Sequence, residues 1–102
     1  MLIVLITTPT ASEAQDIAKK IVTAKLAACV QVLPPMTSYY YWEGEVQNDS
    51  EHLLLIKTLD DKYEALERFI LENHSYEVPE IVAIKAERVS ESYYGWLAAY
   101  LT

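Results

Sequence analysis

The densest chemistry in this chain lies in seven consecutive residues: His74, Ser75, Tyr76, Glu77, Val78, Pro79 and Glu80. An imidazole beside carboxylates is a donor set that suits a divalent transition metal, with His74 as the first ligand and Glu77 or Glu80 beside it. A purely structural reading of the same residues is also open. His74 would end a helix and favour its negative C-terminal dipole, while Glu80 would pair with Lys57 or Lys85. Lys57 stands between Ile56 and Thr58 at the end of an apolar run. There it either snorkels to water or binds an anion in a cleft. Trp96, with Tyr93 and Tyr94, is packing or a stacking surface. Cys29 with His52 or His74 is the one conceivable nucleophile pair, but Ala27, Ala28, Val30 and Val32 surround the thiol with apolar neighbours. It reads as a small buried hydrophobe. Two glycines in the whole chain leave no phosphate-cradling loop, and no enzyme is expected.

A length of 102 residues predicts one domain, spanning 1–102, with its own core. The formal charge of −7 excludes a nucleic-acid partner, whose phosphates require clustered lysine and arginine, and disfavours anionic membranes. A single cysteine permits no intrachain disulfide. Residues 1–6 lack the basic region of a signal peptide, and no apolar run approaches the ~20 residues of a membrane span. A cytoplasmic location is the expectation.

These side chains must be positioned by the elements around them. Leu2–Thr8 is rich in β-branched residues and stops at Pro9, which predicts a buried strand. Thr10 and Glu13 have capping-box spacing, followed by helical periodicity through Ile17, Ile21 and Lys25. Leu26–Leu33 reads as a strand, Pro34 and Pro35 as an edge, kink or bulge, and Thr37–Glu43 as its continuation. Gly44 is the natural tip of a hairpin. Glu45–Thr58 returns as a strand, with a possible irregularity at Asn48, Asp49 and Ser50. Tyr63, Leu66, Phe69 and Ile70 make one helical face ending near Asn73. Residues 74–79 form a loop, since Pro79 disfavours helix at Val78. Ile81–Ala86 is a strand, and Ser90 or Ser92 caps a last helix. The order predicts an α+β, ferredoxin-like βαββαβ sandwich with a long hairpin between its second and third strands and a C-terminal helix.

Side chains alternate along a strand, so Tyr39 and Tyr41 face one way while Tyr40 and Trp42 face the other. Aromatics on both faces imply that both are covered. Ala27–Glu43 would reach about 55 Å fully extended, against a diameter of roughly 35 Å for a domain of this size. Part of the hairpin must therefore overhang, and an overhanging strand is an aggregation hazard unless another copy pairs with it. Tyr39, Tyr40, Tyr41 and Trp42 are thus predicted interface residues.

The run Lys25, Leu26, Ala27, Ala28, Cys29, Val30, then Trp42, Glu43, Gly44, Glu45, then Leu55 to Thr58, His74 to Ile81 and Tyr94 to Leu97 resembles the CutA family of divalent-cation tolerance proteins. The resemblance covers essentially the whole chain. It implies a ferredoxin-like fold in a cytoplasmic homotrimer, without a required cofactor, linked to tolerance of copper and other divalent cations. Copper ligands proposed for the family fall on Ile6, Asn73 and His74. Ile6 cannot ligate and Asn73 is a poor copper ligand, which leaves His74. The family usually carries proline where Ser75 stands. The trimer also resembles that of PII signalling proteins. That likeness implies an alternative, a small anionic metabolite held between subunits near Lys57, His74, Tyr76, Glu80 and Trp96.

Overall fold

The computed structural model describes residues 1–102. Strand β1 (Leu2–Thr8) leads to helix α1 (Ala11–Thr23), then strands β2 (Cys29–Val32), β3 (Met36–Trp42) and β4 (Glu45–Thr58). A 3-10 turn (Asp60–Lys62) opens helix α2 (Tyr63–Asn73), followed by β5 (Ile81–Lys85) and helix α3 (Glu91–Leu101). The sheet order is β2-β4-β1-β5 and every pairing is antiparallel, with β3 paired to the distal half of β4. This is the predicted ferredoxin-like sandwich with a C-terminal helix.

Alternation along the strands builds the core. Val4, Ile6, Leu54 and Ile56 point to one face and meet Ala14, Ile17 and Ile21 of α1 and Leu66 and Ile70 of α2, all fully or almost fully buried. The opposite face carries Leu5 against Leu55 and Val82, and Ile3 against Ile84. No helix covers its outer part, and Val82 and Ile84 are 47% and 50% exposed. Helix α3 closes only one end, where Leu97 and Leu101 pack with Ala28, Met1 and Leu59.

Backbone geometry sets three local features of these elements. Helix α1 stops at Thr23 rather than running through Lys25, because Lys25 adopts a left-handed φ of 57°. The Lys25 amide donates to Val22 O and the Leu26 amide to Ile21 O, a Schellman cap with lysine in the place glycine usually takes. The expected kink or bulge at Pro34 and Pro35 divides the second strand into β2 and β3. Cys29 pairs with Lys57 and Val32 with Leu54, but Met36 pairs with Glu51. One extra residue is therefore absorbed at Leu33, Pro34 and Pro35, where the prolines cannot donate to the ladder. By contrast β4 runs unbroken through Asn48, Asp49 and Ser50, each in regular register with β3.

The hairpin turn is Glu43-Gly44, with φ of 52° and 83° between the paired residues Trp42 and Glu45. Two positive φ angles define a type I′ turn, the connection that matches strand twist. The overhang is real: the molecule measures 45 × 25 × 23 Å. Glutamate is a poor occupant of a left-handed position, so Glu43→Asn is expected to stabilise the hairpin by about 0.5–1 kcal/mol. The melting temperature should then rise by roughly 2–8 °C; an unchanged or lower value in a thermal melt would sink this account of the turn.

Candidate functional site

The loop 74–80 crosses the end of β1, and His74 fixes it there. His74 ends α2, its amide donating to Ile70 O, and its backbone turns extended. The ring is fully buried. Nε2 lies 2.6 Å from Thr7 O, and the Tyr76 amide donates to Nδ1 at 2.9 Å. A carbonyl only accepts and an amide only donates, so Nε2 carries the proton and Nδ1 is bare: His74 is a neutral imidazole. The Glu13 carboxylate lies 3.5 Å from Nδ1, but an unprotonated nitrogen makes no ion pair with it. Glu13 instead accepts the Ser75 amide at 3.1 Å. A proline at 75 has no amide hydrogen, so serine gives this chain an extra tie between the loop and α1.

In this geometry both ring nitrogens of His74 are already engaged. Its single lone pair is occupied by Tyr76, and its proton by Thr7. Ile6 is buried in the core and cannot ligate, and the Asn73 amide nitrogen donates to Phe69 O. No group of three or more histidine, cysteine, aspartate or glutamate side chains is placed to hold a metal ion within the chain. The capping box is also halved. Thr10 accepts from the Glu13 amide as predicted, but the Glu13 side chain reaches the loop instead of returning to Thr10.

Between this loop and the arm lies a cleft of about 750 Å³. Tyr40 and Trp42 of β3 form one wall, Tyr76, Glu77 and Glu80 the other, with Glu51 of β4 between them. Tyr40 donates to Asp49 and Tyr76 to Glu51. Burial, then the Glu51 hydrogen bond, raises the Tyr76 phenol well above the ordinary tyrosine range. At Tyr40 the Asp49 hydrogen bond is the main cause of an upward shift. The lining holds three carboxylates and no lysine, arginine or histidine.

The predicted cleft residues therefore divide. Tyr76 and Glu80 line this cleft, together with the arm aromatics. Lys57 and Trp96 stand elsewhere. Lys57 lies six residues along β4 from Glu51, about 20 Å away at strand spacing, with its ammonium 5.6 Å from the Tyr93 ring centroid. Trp96 packs against the same Tyr93. Nor does Glu80 take a lysine: Lys85 pairs with Asp60 at 2.6 Å. Cys29, expected to be buried, is half-buried on the edge strand β2. His52 Nδ1 meets Leu33 O.

The CutA1 divalent ion tolerance protein family model matches residues 2–100. The chain is 43% identical over 96 residues to the chloroplastic CutA protein of Arabidopsis thaliana, covering 94% of this chain and 53% of that protein. It is 44% identical over 95 residues to the divalent-cation tolerance protein CutA of Thermus thermophilus, covering 93% and 92% respectively. The chain thus spans about half the length of the plant relatives and nearly all of the Thermus one. Among solved structures, CutA1 of Pyrococcus horikoshii superposes with a TM-score of 0.96 at 32% identity, covering 100% of this chain and 99% of that one. The protein from Archaeoglobus fulgidus, described as a periplasmic divalent cation tolerance protein, gives 0.96 at 33% identity and full coverage of both.

The raised Tyr76 phenol sets a pH dependence. A phenol whose folded pKa exceeds its unfolded value favours folding while protonated, and that contribution is lost as pH rises from about 10 towards the folded value. Stability in chemical denaturation should therefore fall above pH 10, and Tyr76→Phe should flatten the fall. An equally steep fall in the variant would remove Tyr76 as its source.

Proposed function

The chain belongs to the CutA1 divalent ion tolerance family, and from that premise we propose that it serves divalent-cation tolerance as a homotrimer contacting the cation at subunit boundaries. The observation that carries the reading is the cleft lining, in which Glu51, Glu77 and Glu80 meet no basic side chain. Such a surface draws cations and repels anions. Within one chain it lacks the ligand number that a bound metal requires. A second copy would supply the remainder, so the cation, copper(II) among the candidates, touches Glu77 and Glu80 first. His74 acts as the anchor that holds those carboxylates in place. The same lining speaks against an anionic metabolite, since Lys57 is remote from it.

Self-association is supported by the helix-free face. Leu5, Leu55, Val82 and Ile84 form an apolar surface that a lone domain would leave in water. The arm adds Tyr39 and Tyr41, 73% and 72% exposed, beside Val46 at 75%. These three share the face opposite Tyr40 and Trp42. A cytoplasmic setting agrees with the free thiol of Cys29, which a reducing compartment preserves.

Light scattering on the purified protein should give three times the 11.6 kDa of one chain. A Val82→Lys/Ile84→Lys variant should fall towards a single chain, and Trp42→Ala should weaken assembly. A wild-type mass of one chain would sink the trimer. In copper(II) titration, a Glu77→Gln/Glu80→Gln variant should bind about tenfold more weakly or worse, roughly 1.4 kcal/mol or more. If His74→Ala alone abolished binding while folding and mass were unchanged, direct ligation by His74 would replace the present assignment.

A further inference from the structure

The interior of the cleft differs from its rim. Glu51 is only 8% exposed, and its Oε2 accepts the Tyr76 hydroxyl at 2.8 Å. No lysine, arginine or terminal amine of the chain pairs with it. A carboxylate removed from water is costly unless it is paired, and one phenol is poor compensation. Beside it stand the rings of Tyr40 and Tyr76, with Trp42 further out along the cleft wall. Their hydroxyls are committed, Tyr40 to Asp49 and Tyr76 to Glu51. What these rings offer an occupant is their π-faces and carbon edges.

A bare divalent ion matches this interior badly. It needs several oxygen or nitrogen ligands at short range, and the chain places no three together. A positive charge that needs no inner-sphere ligands, carried on apolar carbon, matches it well. Ammonium groups are attracted to aromatic faces, most strongly where water is excluded. The volume also lies in the range of small-molecule sites. We propose that the inner cleft binds a small organic ammonium compound, with Glu51 as the counter-charge and Tyr40 and Tyr76 as the aromatic wall. This goes beyond the tolerance reading and does not rest on it, since the metal contacts assigned above are the rim carboxylates Glu77 and Glu80.

The test is calorimetric titration with choline and with its uncharged carbon isostere, dimethylbutanol, in a chelating buffer that removes metal from the comparison. Choline should bind saturably and about tenfold or more tighter than the isostere. Glu51→Gln keeps an acceptor for Tyr76 but removes the charge, and should weaken choline about tenfold or more. Tyr40→Leu lies on the arm, outside the core, and should weaken choline similarly at an unchanged assembly mass by light scattering; it decides the matter if the Glu51 variant does not fold by circular dichroism. Equal affinity for choline and the isostere, wild-type affinity in the folded variants, or no saturable binding would each overturn the proposal. Copper binding that persists while choline fails would overturn this inference alone.

Discussion

A single unbroken strand of fourteen residues organises the molecule. β4 pairs with β1 and β2 through its second half and with β3 through its first. Its Leu54 and Ile56 sit at the centre of the core, while Glu45 to Ser50 leave the domain altogether. The same backbone therefore serves as core and as arm. Because its register never slips, the side-chain alternation set by the buried residues is imposed on the arm. Glu51 follows from Leu53 and Leu55 on the helix-free side, and Tyr40 and Trp42 follow from their pairing with Gln47 and Glu45. The register shift needed to join β2 to β3 is placed entirely on the other chain segment, at the two prolines.

The second constraint is the closure of the loop after α2 onto β1. An α2–β5 connection of this kind would be free to move if only its ends were held. Here a buried neutral histidine joins Thr7 O to the Tyr76 amide, Glu13 holds the Ser75 amide, and the Tyr76 hydroxyl reaches Glu51. Helix, strand, loop and arm are tied through four hydrogen bonds. Removing the ring would leave a buried carbonyl and amide without partners, at about 1–3 kcal/mol each. That cost explains a histidine here without any metal.

The sequence was most readable where one local rule decided the outcome. β-branched runs, proline punctuation, the Thr10 and Ser90 caps and the Gly44 turn all appear where elementary chemistry puts them. The excess length of the hairpin was a matter of counting. What was not legible depends on contacts between distant residues. Nothing in the spacing of His74 reveals that its nearest acceptor is Thr7, 67 residues away. The capping signature at Glu13 gave no hint that its carboxylate would prefer the loop. Lys25 and Glu43, in left-handed conformations, carry no residue-type signal, since glycine or asparagine would be the expected occupant.

The arm presents two unlike surfaces. Its aromatic residues are alike in type. Alternation divides them into unlike surroundings. Tyr39 and Tyr41 have Val46 and Asn48 beside them and stand largely exposed, Tyr39 also meeting the edge of the cleft, whereas Tyr40 and Trp42 face the cleft with Asp49, Glu51 and the loop. A stripe of exposed apolar rings gains most from covering by a similar surface, since burial removes it from water without leaving a charge behind. A ring wall around a poorly compensated carboxylate gains most from a cation, because a second apolar surface would seal that charge away from its last solvent. The two faces of one strand thus favour different occupants. An assembly that covers the first need not close the second, and chemistry at the cleft remains compatible with an arm built for contact.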